Sequence, residues 1–224
     1  ECPRMARRAD AVLFDLDGTL LDTAPDMIGA LNQLRAEQDL APMDYSLART
    51  QVSHGSAGLM KLSFPELEGE AFERLREYYL KLYDRRLADE TAPFPGFDLV
   101  LSRLEDEGMP WGIVTNKPGF LTDPLLAALG LDRRAACVVS GDTLPQRKPH
   151  PAPLLHASMQ LGLPPQRCVY VGDAERDVQS ARAAGMPVLV AMYGYLGPKD
   201  DPLRWAPDAH IDSPGELLDW LQLP

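Results

Sequence analysis

Two aspartates separated by one residue, Asp15 and Asp17, close a hydrophobic run in the stretch AVLFDLDGTLLDT. Residues 11–14 read as a short buried strand, and a carboxylate at its end must be solvated, paired with a cation or protonated. Three later segments carry further polar residues: Thr115 and Asn116 follow an apolar run in VTNK, Lys148 lies in QRKPHPAPLL, a loop leading into a helix, and in YVGDAERD Asp173 falls just past a strand with Asp177 about one helical turn on. Three or four carboxylates, an ammonium and a hydroxyl delivered to one edge of a sheet suit phosphoryl transfer. Asp15 is the candidate nucleophile, because its oxygen is anionic at neutral pH and needs no separate base to form an aspartyl phosphate. Its charge would repel a phosphate dianion, so cations must flank it. A hard ion such as Mg²⁺ fits carboxylates of Asp15 and Asp173, a main-chain oxygen near Asp17 and waters, and Lys148 supplies the remaining positive charge. Asp17 is spaced to protonate the leaving oxygen and then to take a proton from the attacking water. Gly18 lets the backbone pass close to a phosphate, and its N–H, the Thr115 hydroxyl and nearby amides are candidate phosphate binders, with Asn116 in the same segment.

The elements that must position these residues follow from periodicity. Beyond Pro95, the runs WGIVT, ACVVS, CVYVG and PVLVA alternate with amphipathic segments starting near Phe97, Phe120, Pro151, Glu175 and Pro214, and a short strand falls at 209–211. That rhythm predicts an α/β fold, a doubly wound, Rossmann-like parallel sheet whose ligands bind at the carboxyl ends of its strands. Between about Ala24 and Asp89 the pattern is helical instead, with Met27, Ile28, Leu31 and Leu34 on one face and Phe72, Leu75, Tyr79 and Leu82 on another. The block is bounded by DTAPD and TAPFPG, proline-rich joints that suit hinges or chain reversals. It reads as a helical insertion after the first strand, residues 23–91, in a core made of 1–22 and 92–224.

The chain has 224 residues, 45% of them hydrophobic, and a formal charge of −11. This composition fits a globular protein with a real core and disfavours nucleic acid and anionic membrane as partners, while leaving room for a small cationic pocket. No apolar run approaches membrane-spanning length, and the N-terminal arginines lead into a segment that meets Asp15 too soon for a signal peptide, so a cytoplasmic location is expected. Cys2, Cys137 and Cys168 are few and far apart, which argues against a disulfide framework or a zinc site.

FDLDGTLLDT, VTNKP, RKPHPAPL and VGDAERD, in that order, resemble the four motifs of the haloacid dehalogenase superfamily, in its phosphatase branch with a helical cap domain inserted after the first motif. The resemblance implies a nucleophile at Asp15, an acid/base at Asp17, phosphate binders at Thr115 and Lys148, a metal ligand at Asp173, and water-mediated metal contact at Asp177. Asp17 argues against a true dehalogenase. Within the branch the chain is similar to bacterial phosphoglycolate phosphatases, and WGIVTNKP with YGYLGPKDDPLRW is similar to the subgroup acting on N-acetylmuramic acid 6-phosphate. VSHGSAGLM occupies the place of a substrate-specificity loop but copies neither pattern. A small phosphate monoester is the implied partner, with the chain a monomer or homodimer. A phosphosugar mutase of the same superfamily and a noncatalytic binding module are the alternatives.

Taken singly, several of these residues have plainer readings. A D-x-D also occurs in solvated turns and sugar-nucleotide transferases, and Asp177 could do no more than favour a helix N-terminus. His54, Gly55 and Ser56 either meet substrate when the cap closes or lie in an exposed loop. Asp22 and Thr23 fit a hinge, Asp142 a turn, and Tyr193 and Tyr195 packing.

Overall fold

Val12 and Phe14 pack into one hydrophobic layer and Ala11 and Leu13 into the other, so β1 (Ala11–Phe14) is buried on both faces and must be apolar at every position. The computed structural model describes residues 7–223; Cys2 lies outside them. β1 is flanked by β4 (Trp111–Val114) on one side and β6 (Cys168–Gly172) on the other, in parallel pairings. β5 (Cys137–Val139), β7 (Val188–Ala191) and β8 (Ala209–Ile211) complete a six-stranded parallel sheet of order β5-β4-β1-β6-β7-β8. The chain starts at the middle of this sheet and winds outward first to one side and then to the other. The crevice where winding reverses therefore opens at the carboxyl ends of β1, β4 and β6, where Asp15, Thr115 and Asp173 follow their strands.

Helix α5 (Phe97–Asp106) precedes β4, and α6 (Gly119–Ala128), α7 (Ala152–Gln160), α8 (Glu175–Ala184) and α9 (Glu216–Leu221) follow β4, β5, β6 and β8. Phe97 and Leu101 of α5 pack with Phe14 and Trp111, whereas Leu154 of α7 and Val178 and Ala181 of α8 pack with Leu13 and Tyr170. Cys137 and Cys168 belong to this second layer, and burial pushes both thiols up to about 11, so neither is a thiolate at neutral pH.

Between β1 and β4 the chain forms α1 (Ala24–Glu37), α2 (Tyr45–Arg49), α3 (Gly55–Ser63) and α4 (Gly69–Asp84). Met27, Ile28, Leu31 and Leu34 of α1 are buried with Phe72, Tyr79 and Leu82 of α4, and Leu75 packs partly buried against them. The two joints differ from a simple reversal at proline. Pro25 sits in the first turn of α1, where a missing N–H is harmless. The joints themselves pair as a two-stranded antiparallel ribbon, β2 (Leu21–Asp22) with β3 (Ala92–Pro93), elements too short to show a period in the sequence. Buried Asp26 fastens the second joint to α1, its Oδ2 accepting from the Glu90 and Thr91 amides and the Thr91 hydroxyl at 2.7–3.0 Å. Tyr195 fastens the first: its hydroxyl donates to Asp22 at 2.7 Å and accepts from the Ala24 amide at 2.9 Å.

Candidate active site

Asp15, Thr115 and Asp173 are positioned by the strands they follow, Lys148 by the loop before α7 and Asp177 by the first turn of α8. The Asp15 amide donates to Val171 O at 2.8 Å, which continues the β1–β6 ladder one step past Phe14 and fixes where the carboxylate begins. Its Oδ1 accepts from the Leu16 amide at 2.8 Å and faces Lys148 Nζ at 2.8 Å. Lys148 is 3% exposed, yet its ammonium is fully engaged: Asp15 on one side, Asp177 Oδ1 at 2.9 Å on another, and the Tyr170 hydroxyl at 2.7 Å. Tyr170 passes its own proton to Val114 O at 2.8 Å, so the ammonium is held from the floor of the sheet.

Carboxylates of Asp15, Asp173 and Asp177 each offer an oxygen within 4.8 Å of the others. Asp173 Oδ2 accepts from the Tyr195 amide at 2.8 Å and the Ser53 hydroxyl at 2.6 Å, whereas its buried Oδ1 has no hydrogen-bond partner among the described residues. An oxygen-only donor set with one orphaned buried oxygen fits a hard divalent cation between Asp15 and Asp173. Asp177 is more fully used, with Oδ2 accepting from the Ala174 amide at 3.0 Å and Oδ1 ion-paired to Lys148. Of the sequence-expected ligands, Asp17 lies outside this carboxylate cluster.

Burial raises the Asp173 carboxyl to about 7, with Asp15 and Asp177 pushing in the same direction against the Ser53 and Tyr195 hydrogen bonds. Asp15 is also raised, because burial outweighs an ammonium that it shares. For Asp177, burial opposes ionisation but Lys148 and Arg176 outweigh it, and the carboxyl falls below its ordinary range. Arg176 is held charged by the same three carboxylates despite its burial.

Asp17 Oδ1 accepts from the Thr23 hydroxyl at 2.7 Å and from Lys117 Nζ at 3.1 Å. Thr23 occupies the N-cap of α1 without capping it, since its hydroxyl is committed to Asp17. Gly18 has φ +85, and a Cβ there would lie 2.2 Å from Asp173 Oδ2, so the turn admits only glycine. Its N–H, expected to bind phosphate, instead donates to Leu21 O at 3.0 Å and closes the turn. Asn116 is likewise committed elsewhere. Its side-chain amide spans the Lys148 main chain, donating to Lys148 O at 2.9 Å and accepting from Lys148 N at 3.0 Å, so it clamps the lysine loop. Thr115 Oγ1 accepts from the Lys117 amide at 3.1 Å, which leaves the hydroxyl proton to donate.

A cavity of about 520 Å³ lies over these groups, lined by Asp15, Asp17, Thr115 and Asn116 from the sheet side and by His54, Gly55 and Ser56 from the helical insertion. Ser53 and the insertion's Tyr83 tie the two sides together: Arg176 donates to Ser53 O at 2.6 Å, and Lys117 donates to the Tyr83 hydroxyl at 2.8 Å. His54 is exposed, and partial desolvation together with Arg176 lowers its imidazole below the ordinary range. Sequence reasoning missed Lys117, Arg176, Arg147 and Arg76, all on the cavity wall. The first three adjoin residues it had singled out, which was the available signal. Arg76 sits on α4 beside similar surface charges and carried none.

The model of the haloacid dehalogenase-like hydrolases matches residues 12–191, from β1 to the end of β7. The chain belongs to this family. Among haloacid dehalogenase-like hydrolases, it is 46% identical over 207 residues to a phosphoglycolate phosphatase of Xanthomonas campestris pv. campestris (strain 8004), covering 92% of this chain and 94% of the relative. It is 40% identical over 215 residues to an N-acetylmuramic acid 6-phosphate phosphatase of Pseudomonas aeruginosa, covering 96% and 95%. A solved structure described as a predicted phosphoglycolate phosphatase from Haemophilus somnus 129PT superposes with a TM-score of 0.85 at 28% identity, covering 96% of this chain and 98% of that one. Among the described residues of this family member no helix is long and apolar enough to cross a membrane.

Proposed function

We propose that this chain is a Mg²⁺-dependent phosphomonoesterase that works through an aspartyl phosphate on Asp15. Its substrate is a small phosphorylated metabolite, with phosphoglycolate the first candidate and N-acetylmuramic acid 6-phosphate the second. The observation that carries this reading is the setting of Asp15: Lys148 stands at 2.8 Å on one side, and the orphaned Oδ1 of Asp173 belongs to the carboxylate cluster on the other. Both polar contacts of the Asp15 carboxylate fall on Oδ1, leaving Oδ2 to attack.

In the first step Asp15 Oδ2 bonds to phosphorus, the ester P–O bond breaks, and Asp17 gives its proton to the departing oxygen. In the second, water attacks the phosphoaspartate, Asp17 takes the water proton, and inorganic phosphate leaves Asp15 free. Thr23 and Lys117 hold Asp17 in place for both transfers. The Thr115 hydroxyl binds a phosphoryl oxygen; Lys148, whose three N–H donors are taken by Asp15, Asp177 and Tyr170, acts on the phosphoryl group through its charge, and Asn116 keeps it in position. Asp15, Asp173 and the main-chain oxygen of Asp17 would hold a divalent cation, which would supply charge neutralisation for the reaction of an anionic nucleophile with an anionic phosphoryl group.

Residues 23–91 act as a cap on the core formed by 1–22 and 92–224, swinging on the β2–β3 ribbon to admit substrate and closing to exclude water. The protein works in the cytoplasm as a monomer or homodimer, without nucleic acid or membrane. A panel of phosphomonoesters, assayed with Mg²⁺ and after chelation, tests the reading. The expected result is metal-dependent release of inorganic phosphate with phosphoglycolate ranked first by kcat/KM. Conversion to a positional isomer without phosphate release would identify a phosphosugar mutase, and no turnover at all would leave a binding module.

A further inference from the structure

The cavity is far more basic than the chain. The chain carries a formal charge of −11, yet Arg76, Arg147, Arg176 and Lys117 all line this one cavity. Two of these are spoken for by the chemistry below: Lys117 is paired with Asp17, and Arg176 with Ser53 and the three buried carboxylates. Arg76 and Arg147 are not. Arg147 immediately precedes Lys148, is exposed at the cavity mouth, and its guanidinium has no hydrogen-bond or ion-pair partner among the described residues. Arg76 comes from the opposite side, on α4. Its Nε and Nη2 are both taken by Glu73 Oε2, at 3.0 and 2.6 Å, which fixes the plane of the guanidinium. Nη1 points instead to the hydroxyl of cavity-lining Ser56 at 3.3 Å.

Neither arginine contacts Asp15, Lys148 or the carboxylate cluster, so neither serves the transferred phosphoryl group. We infer that Arg147 and Arg76 form a second anion subsite that reads a carboxylate on the leaving alcohol, so that the enzyme selects phosphomonoesters of hydroxy acids. This rests on the phosphomonoesterase reading and narrows it. A planar fork is the side chain suited to a carboxylate, and a fork held in place by Glu73 loses little freedom on binding it. The cavity volume of about 520 Å³ holds the leaving group of either candidate substrate, so the charge, rather than the space, discriminates.

The test compares kcat/KM for 2-phosphoglycolate with that for 2-hydroxyethyl phosphate, which replaces the carboxylate by a neutral alcohol. The wild type is expected to favour phosphoglycolate. Arg147→Met and Arg76→Met should each reduce that preference by about ten- to hundredfold, mostly through KM, the effect of losing one charge-assisted contact. Arg147→Lys should recover part of it. Arg74→Met removes the same charge from an exposed site on α4 and should leave the ratio unchanged. An unchanged ratio in both cavity variants, or no preference in the wild type, overturns the subsite while leaving the phosphatase intact. Failure of the wild type to hydrolyse any phosphomonoester overturns the phosphatase reading and the subsite with it.

Discussion

Lys148 Nζ lies 2.8 Å from Asp15 Oδ1, although 133 positions of sequence separate the two residues and each follows a different part of the fold. The same ammonium serves Asp177, so one cation balances two buried carboxylates, with a third at Asp173 close by. This arrangement makes the lysine structural as well as chemical. Lys148→Met would leave the three carboxylates with only Arg176 to compensate them. The expected loss is about 3–5 kcal/mol of folding stability, measured by urea denaturation of the metal-free protein at pH 8. A change below roughly 1 kcal/mol would mean that the cluster is more hydrated than its burial implies.

The Asp173 carboxyl gives the metal-free protein a definite pH dependence. Its rise from 3.8 to about 7 means that the folded state holds this proton more tightly than the unfolded chain. The associated stability is fully present below pH 3.8 and is lost as pH climbs through about 7, an amount of order 4 kcal/mol from this group. Tm of the metal-free protein should therefore fall between pH 5 and pH 8. Mg²⁺ requires the ionised carboxylate, so the Tm gain on adding it should be larger at pH 8 than at pH 5. Asp173→Asn should remove most of both effects. An equal Mg²⁺ response at the two pH values would place the ion away from Asp173.

Gly18→Ala tests the turn that carries Asp17. The φ of +85 and the 2.2 Å approach of a Cβ to Asp173 Oδ2 leave no room for a methyl group unless the carboxylate or the turn moves. The variant should lose on the order of 1–3 kcal/mol of stability and at least about tenfold in kcat/KM. Near-normal kinetics would show that the Asp17 turn and Asp173 tolerate displacement.

Much of this geometry could be read from residue order alone. Strands buried on both faces, such as β1 and β6, must be apolar throughout, and their ends are marked by the first residue that cannot be buried without a partner: Asp15 after Phe14, and Asp173 after Gly172. What could not be read is where a side chain or amide is committed once it has arrived. Asn116 and Gly18 are both candidate phosphate binders by residue order, but Asn116 spends both ends of its amide on the Lys148 backbone and the Gly18 N–H closes a local turn. Lys117 stands two residues past Thr115 and looks like an ordinary surface lysine until Asp17 and Tyr83 are brought to it. Arg76 shares a surface-charged helix with Arg74, and only the tertiary placement of α4 over the crevice distinguishes the residue on the cavity wall from the one in solvent.

Phosphorylation of Asp15 during turnover is read most directly by mass spectrometry of the protein quenched in acid while hydrolysing phosphoglycolate with Mg²⁺. The expected result is phosphate on the peptide containing Asp15, acid-stable but lost in hydroxylamine, and none in Asp15→Asn. Phosphate on another residue, or full turnover by a correctly folded Asp15→Asn variant, would contradict it.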